Sequence, residues 1–273
     1  MKTVLVTGAS AGIGKATVEL FLKHGYKVYA VARRIEKMED LKILGAIPIQ
    51  MDVTDNRSME AGIEKISRES GGVDILINNA GYGSLGSVEE VSIEEAKRQF
   101  EVNIFGLARL TQLITPHMRE MKWGKIVNIS SIGGKIYEPL AGWYHSTKFA
   151  LEGLSDCLRL ELKGFGIHVI VVEPGPIRSE WGDIASDNLM KTSGSGPYRK
   201  IAEGMMNNFK NFYTEKKSSP PEEVARIIFK SVLAKRPKTR YPAGKGASLI
   251  LLGRKLFSDK IFDMAMLSMV KSK

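Results

Sequence analysis

Six short apolar runs, most followed by a stretch with helical spacing, dominate the first 180 residues and restrict the fold more than any other feature. The runs are Thr3–Thr7, Lys27–Ala32, Ala46–Met51, Ile75–Asn78, Lys125–Ser130 and His168–Glu173. Most are nearly continuous in apolar residues instead of alternating with polar ones. Strands of that kind are buried on both faces, which calls for a parallel sheet covered by helices on each side. The stretches Gly14–His24, Ser58–Ser70, Ile93–Met121 and Tyr144–Phe165 supply such helices, with Pro116 expected at a bend or in a last turn. The expected fold class is a doubly wound α/β single domain, and 273 residues suit one.

Composition narrows the chemistry. Cys157 is the one cysteine, so there is no intrachain disulfide and no cysteine-based zinc site. His24, His117, His145 and His168 show no paired ligand spacing, and no metal site is expected. The first strand begins directly after Met1-Lys2-Thr3, no 20-residue stretch is free of charge, and the lone cysteine permits a reducing compartment, so the expected location is cytoplasmic. The net charge of +10 is unevenly placed. Residues 1–179 hold 22 Lys/Arg against 21 Asp/Glu, whereas residues 180–273 hold 18 against 9. That field suits acidic partners or anionic lipid, and it also serves simple solubility. No stacking aromatics are interleaved with the basic residues along a recognisable module, so no nucleic acid is expected.

Thr7-Gly8-Ala9-Ser10-Ala11-Gly12-Ile13-Gly14 follows the first strand and opens a helix. Glycines there let a backbone approach a pyrophosphate, which the helix N-terminus favours; tight turns also use glycine structurally. The second strand ends Val31-Ala32-Arg33-Arg34, where NAD-binding folds carry an acidic residue. Two arginines favour a 2′-phosphate, hence NADP(H) over NAD(H); the alternative is a solvated basic turn. Asp52-Val53 and Asn78-Asn79-Ala80-Gly81 end the third and fourth strands, on the rim where such sheets bind ligands. Tyr144 and Lys148 are one helical turn apart, so phenol and ammonium can meet. Ser131 lies 13 residues before Tyr144, and Asn103 opens Asn-Ile-Phe-Gly inside the long helix.

In this order, TGxxxGIG, NNAG, NxxG, Ser131, YxxxK and Pro174-Gly175 resemble the short-chain dehydrogenase/reductase family over about residues 1–180. The stretch Lys148–Leu154 and Pro237–Tyr241 look more narrowly like the 17β-hydroxysteroid and retinol dehydrogenase-like group. The resemblance implies a Rossmann sheet and hydride transfer between a nicotinamide and a carbonyl or alcohol. It assigns proton transfer to Tyr144, support of that proton and of the ribose to Lys148, substrate hydrogen bonding to Ser131, and placement of a water to Asn103. The cofactor contacts it implies are Gly8, Ser10, Gly12, Ile13, Gly14, Arg33, Arg34, Asp52, Val53, Asn79, Ala80, Gly81, Tyr144, Lys148, Pro174, Gly175, Ile177 and Ser179. Ala11 departs from relatives that place a basic residue inside the glycine turn. A homo-oligomer, dimer or tetramer, is expected. An idle NADP(H) sensor acting through a partner is the alternative, against which the intact Asn103–Ser131–Tyr144–Lys148 set speaks.

After Ile177 the pattern changes. Residues 182–219 read as an insertion forming a substrate lid, with Trp181 just before it and Met205, Met206, Phe209, Phe212 and Tyr213 giving apolar lining for a bulky lipophilic carbonyl or alcohol, such as a steroid, retinoid or lipid. Ser219-Pro220-Pro221 reads as a helix start with Ser219 as the cap. Residues 243–273 form a basic amphipathic extension, expected either to pack on the fold or to make a peripheral membrane contact.

Overall fold

The computed structural model describes residues 1–214 and 216–270. Its sheet has seven parallel strands: β1 (Thr3–Thr7), β2 (Lys27–Ala32), β3 (Ile47–Gln50), β4 (Ile75–Asn78), β5 (Gly124–Ile129), β6 (Ile167–Pro174) and β7 (Arg240–Ala243). Their spatial order is β3-β2-β1-β4-β5-β6-β7. The connection reverses direction between β1 and β4, so the loops leaving these neighbours part at the sheet's carboxyl edge and open a crevice.

The helices are α1 (Gly12–Lys23), α2 (Glu39–Ile43), α3 (Asn56–Ser70), α4 (Ile93–Phe100), α5 (Gly106–Glu120), α6 (Gly142–Leu162), α7 (Glu180–Ser193), α8 (Arg199–Phe212), α9 (Pro221–Leu233), α10 (Ala247–Leu256) and α11 (Asp259–Met269). Successive strand side chains point to opposite faces, and the sequence fills both. Val4, Val6, Ile75, Ile77, Val127 and Ile170 pack with α1 and α9 through Val18, Phe21, Val224 and Ile228. Leu5, Leu76, Ile126 and Val169 pack on the other face with Met59, Ile66, Leu110 and Ile114 of α3 and α5. This two-sided burial is the doubly wound α/β domain expected.

Three details differ from the sequence expectation. Ile93–Met121 is interrupted by a π-helical turn at Glu101–Phe105, between α4 and α5, while Pro116 sits within α5. A short helical segment from Ile35 to Ile43 follows β2, where no element was expected. Ser219 does not cap α9; Pro220 holds that position. Ser219 instead pairs with Ile177 in an isolated parallel bridge, and its Oγ accepts from the Lys245 N–H at 2.9 Å. The insertion carrying α7 and α8 therefore leaves and rejoins the domain at adjacent points.

The tail divides into α10 and α11 at Phe257-Ser258. Ala247 and Phe262, with Ile250, Leu251 and Met266, pack against Ile132, Ile136 and Tyr137. Val270 packs with Ala202 and Met205 of α8. The tail thus covers the fold with one face, while Leu249, Leu252, Leu256, Phe257, Ile261, Met264 and Leu267 remain exposed. No helix among the described residues is long and apolar enough to cross a membrane.

Candidate active site

The glycine turn is built by close approach. Gly8 and Gly12 have φ of +65° and +54°, a region that disfavours side chains. A Cβ on Gly14 would stand 2.3 Å from the Gly8 carbonyl oxygen and 2.6 Å from Asn79 Nδ2. Asn79 donates from that amide to the carbonyls of Thr7 and Gly8 at 2.9 and 3.2 Å. Thr7 Oγ1 accepts from the backbone N–H groups of Asn79 and Ala80, each at 2.9 Å. The loops after β1 and β4 are thereby locked together at the crevice, with the free N–H groups of α1 facing outward. Asn79 acts here as a pin for the turn. Its amide protons are already engaged by the turn.

Beside the turn lies an open cleft of about 630 Å³ lined by Ser10, Ala11, Gly12, Lys15, Lys37, Arg178, Ser179 and Glu180, with Glu36, Glu39, Asp40 and Pro221 completing its wall. Its glycine floor and helix N-terminus fit a nucleotide's pyrophosphate, while Lys15 pairs with Asp40 and Lys37 with Glu180 across the same wall. Arg34 donates to Ser10 Oγ and to Glu180, both at 3.1 Å, and Lys37 reaches the other Glu180 oxygen at 3.0 Å. These cations hold the exposed Glu180 carboxyl below its usual range. Arg33 is exposed and lies within electrostatic reach of the Tyr82 phenol. Asp52 caps its own turn, accepting from Thr54 N and Oγ1 at 2.9 and 2.8 Å. The Val53 carbonyl sits where a Cβ on Gly106 would be, at 2.2 Å, which explains the glycine of the Asn-Ile-Phe-Gly motif. Lys15, Lys37, Arg178 and Glu180 were absent from the sequence expectation. The spacing of Lys37 from Arg33-Arg34 on one helical turn was the available signal.

On the other side of the crevice, Tyr144 and Lys148 project from the first turns of α6. Lys148 is buried and its Nζ donates to the Ile129 carbonyl at 2.9 Å, 6.0 Å from the Tyr144 ring centre. Burial lowers its ammonium to about 8. Burial likewise pushes the Tyr144 phenol up to about 12, against a hydrogen bond with Ser131 that pulls it down; Glu138 raises it further. Ser131 caps the turn after β5, its Oγ accepting from Gly133 N at 3.0 Å. Ser130 is buried facing Gly134, and its hydroxyl has no hydrogen-bond partner among the described residues. Among these two serines the one 13 residues before Tyr144 is the one that meets it.

The Asn103 side-chain amide is fully engaged, its Nδ2 donating to the Tyr82 carbonyl and Thr147 Oγ1, at 3.0 and 3.1 Å. Its Oδ1 accepts from the Tyr82 N–H at 3.1 Å. The π turn swings this amide against the loop following Gly81, where it fixes the backbone. Ile177, expected to meet the nicotinamide, puts its side chain in the core with Val172 and Ala243. Only its main chain can border the crevice. Pro174 and Gly175 do lie at the carboxyl end of β6, with Gly175 N donating to the Ala243 carbonyl at 2.9 Å. Ser179 Oγ caps α7 and faces Gly12. Ile13 is half-buried against the core.

The insertion closes over this arrangement. Trp181 packs tilted at 54° with its ring 5.3 Å from that of Tyr144, and Leu85, Leu140, Ala185, Leu189 and Met205 complete an apolar layer.

A family model described as short chain dehydrogenase matches residues 2–188. The 3-ketodihydrosphingosine reductase of Bacteroides thetaiotaomicron is 35% identical over 243 residues, covering 88% of this chain and 87% of that protein. The NADPH-dependent 3-dehydrocapnine reductase of Ornithobacterium rhinotracheale is 34% identical, over 96% of this chain and 95% of its own length. A solved short-chain dehydrogenase from Streptomyces avermitilis superposes with a TM-score of 0.81 at 32% identity, covering 98% of this chain and 94% of that one. Relatives named for reductase and dehydrogenase activity remove the alternative of an idle nucleotide sensor. Matched over most of its sheet and over nearly all its length by such relatives, this chain belongs to the short-chain dehydrogenase family and is an oxidoreductase acting on CH–OH groups with NAD or NADP.

Proposed function

We propose that the enzyme uses NADP(H), in preference to NAD(H), to interconvert a ketone or aldehyde and its alcohol on a lipophilic substrate. The observation that carries the cofactor reading is the end of β2: Ala32 stands where a carboxylate would repel a 2′-phosphate, and Arg34 and Lys37 converge on one carboxylate, that of Glu180. Two cations already sharing an anion suit a phosphate monoester, which brings more charge than Glu180 does. The lipophilic reading draws on the apolar layer under α7 and α8, and on relatives named for 3-ketodihydrosphingosine and 3-dehydrocapnine.

A nicotinamide held in the crevice would supply or accept hydride. Tyr144 holds the other half of the reaction, the proton. Its burial keeps the phenol protonated at neutral pH, which suits donation to the oxygen of a carbonyl being reduced. Ser131 is placed to hydrogen-bond that oxygen, and Lys148, fixed by the Ile129 carbonyl, lends positive charge to the phenol. Asn103 keeps the Tyr82 loop in place beside them.

Two partner expectations belong to the same reading. Exposed Phe105, Phe149 and Leu160 offer apolar contacts for a homo-oligomer, tested by light scattering. The uncovered apolar face of α10 and α11, beside exposed Lys255 and Lys260, suits an anionic lipid surface that would also present the substrate; Arg254, expected to join them, is paired with Asp259. The cofactor assignment is tested by titrating NADPH and NADH against the protein. A ratio of at least about tenfold in favour of NADPH is expected; equal affinities overturn it.

A further inference from the structure

The turn that carries Ser131 is docked on α6 through one glycine and one acid. A Cβ on Gly134 would stand 2.8 Å from Ser130 Oγ, 2.9 Å from Glu152 Cγ and 3.1 Å from the Lys148 carbonyl oxygen. The turn therefore lies flush on the stretch of α6 that joins Lys148 to Glu152. Glu152 is 3% exposed. Its Oε2 accepts from Arg240 Nε of β7 at 2.8 Å and pairs at 3.1 Å with the Nζ of Lys135, the residue that closes the Ser131 turn. One buried carboxylate thus ties together the turn after β5, α6 and β7. Its Oε1 is buried with no hydrogen-bond partner among the described residues, and so is the Ser130 hydroxyl that borders the same glycine. Stability alone does not call for a charge here, since apolar side chains of similar volume replace a buried ion pair at little or no cost.

The other charged groups of the cluster are Asp156 of α6, which accepts from Arg240 Nη2 at 2.7 Å and from Arg159 at 3.3 Å, and Glu173 of β6, 3.8 Å from Arg240 Nε. Burial and the nearby Glu152 push Glu173 up to about 7. Lys148 lies one turn before Glu152, and residues four apart share a helix face. Its Nζ is bordered by Tyr144, the Ile129 carbonyl and Gly81, and Glu152 is the carboxylate whose charge favours its ammonium form.

We propose that Glu152 is a positioning residue of this active site: through Lys135 and Arg240 it clamps the Ser131 turn to α6, and it places a negative charge one helical turn from Lys148. The proposal rests on the carbonyl-reduction reading above, in which a charged Lys148 supports the phenol of Tyr144. Ser131 and Lys148 are then set by the same group, one through its backbone turn and the other through its charge.

The test reads Lys148 directly, apart from the neighbouring titration of Glu173. Protein labelled with 13C at lysine Cε is titrated by NMR, with Lys148→Met assigning the signal. In Glu152→Gln the midpoint should fall by about one pH unit, because the ammonium loses its carboxylate. Glu152→Asp should recover at least about half of that shift. Lys135→Met, which removes a cation from the same carboxylate at a partly exposed site, should move the midpoint the other way. In parallel, kcat for reduction of 2-decanone and decanal with NADPH should fall about tenfold in Glu152→Gln. Its alkaline limb should move down with the midpoint, and KM for NADPH should stay within about twofold. A carboxylate that only holds the fold would lower the melting temperature and leave midpoint and limb in place, and that result overturns the proposal. If Glu152→Gln does not fold, Glu152→Asp and Lys135→Met decide, and unmoved midpoints in both overturn it. If neither carbonyl is reduced by the wild type while the midpoint follows the charge at Glu152, the carbonyl-reduction reading falls and the clamp stands. If both are reduced and the midpoint stays, the reading stands and the proposal falls.

Discussion

The half proposed to hold the cofactor and the half proposed to cover the substrate are built in opposite ways. From β1 to β6 the chain is almost neutral, and its loops are pinned by buried or half-buried hydrogen bonds such as those of Thr7, Asn79 and Asn103. From Ile177 onward it is strongly basic, its helices pack through adaptable Met and aromatic side chains, and its last two helices leave an apolar face uncovered. A nucleotide is the same molecule for every enzyme that binds it, so its site is held rigidly by backbone geometry. A substrate pocket needs a wall that can deform around a bulky molecule. Rigid polar pinning on one side and soft apolar cover on the other divide the labour.

The largest effect should come from Tyr144, the proton donor of the proposed reaction. Tyr144→Phe is expected to lower kcat by about a thousandfold or more while NADPH affinity changes less than about twofold, since the ring contributes little to holding the nucleotide. Steady-state kinetics beside a fluorescence titration measure both. Retention of more than a few per cent of the rate would assign the proton to another group. The pH profile follows from the same pair. Lys148, lowered to about 8, is charged below that pH and neutral above it, so reduction should weaken as pH rises through about 8. Alcohol oxidation needs the phenolate of a group raised to about 12, so its rate should climb with pH over the accessible range.

Next in size is a test of pinning by glycine. Alanine normally stabilises a helix over glycine by about 0.5–1 kcal/mol. At Gly14 the added Cβ would meet the Gly8 carbonyl at 2.3 Å, so Gly14→Ala should instead destabilise by about 1–3 kcal/mol and weaken NADPH binding about a hundredfold. Gly153 in α6 has nothing within 4 Å of its would-be Cβ, and Gly153→Ala should stabilise by the ordinary amount. Thermal melts of the two variants against wild type should move in opposite directions. Movement in the same direction would mean that the turn yields, and the contrast between rigid and soft halves would weaken.

How much could be read from the sequence follows the same division. β1, β2 and β4 end where expected because a strand buried on both faces must stop where polar residues meet the crevice. Ser131, Tyr144 and Lys148 come together because a fixed offset within one loop and helix puts them there. The π turn at Glu101–Phe105 was hidden, since hydrophobic spacing looks the same on either side of it. Glu180 was hidden for another reason: its partners Arg34 and Lys37 lie 146 and 143 residues away, and local pattern carries no such information. The tail was legible as amphipathic, but which of its apolar residues face inward depended on where Ile132, Ile136 and Tyr137 stand.

A smaller effect is expected at the cation cluster joining the two halves. Arg33→Ala with Arg34→Ala should reduce the NADPH preference by about tenfold, the loss of roughly 1.4 kcal/mol spread over two exposed contacts. NADH affinity should stay within about twofold. Parallel titrations at low and high salt check this, and an NADH loss equal to the NADPH loss would mean that the arginines only hold the loop.

The smallest effect on catalysis, and the sharpest test of the soft half, concerns the tail. Leu256 and Phe257 are 69% and 51% exposed, so changing both to Ser should alter stability by less than about 0.5 kcal/mol. Turnover of a water-soluble ketone should be unchanged within about twofold. If the face meets lipid, the two side chains together contribute about 1 kcal/mol of insertion, and flotation with anionic vesicles should fall about fivefold. High salt should weaken the wild type's flotation as well, because Lys255 and Lys260 act through screened charge. Neutral vesicles separate the two contributions, since insertion survives there and attraction to anionic headgroups does not. Absence of wild-type flotation at low salt, with the variant pair shifting light scattering towards smaller particles, would assign the same face to a second copy of the chain. Either result fixes what covers the side of α10 and α11 that the fold itself leaves bare.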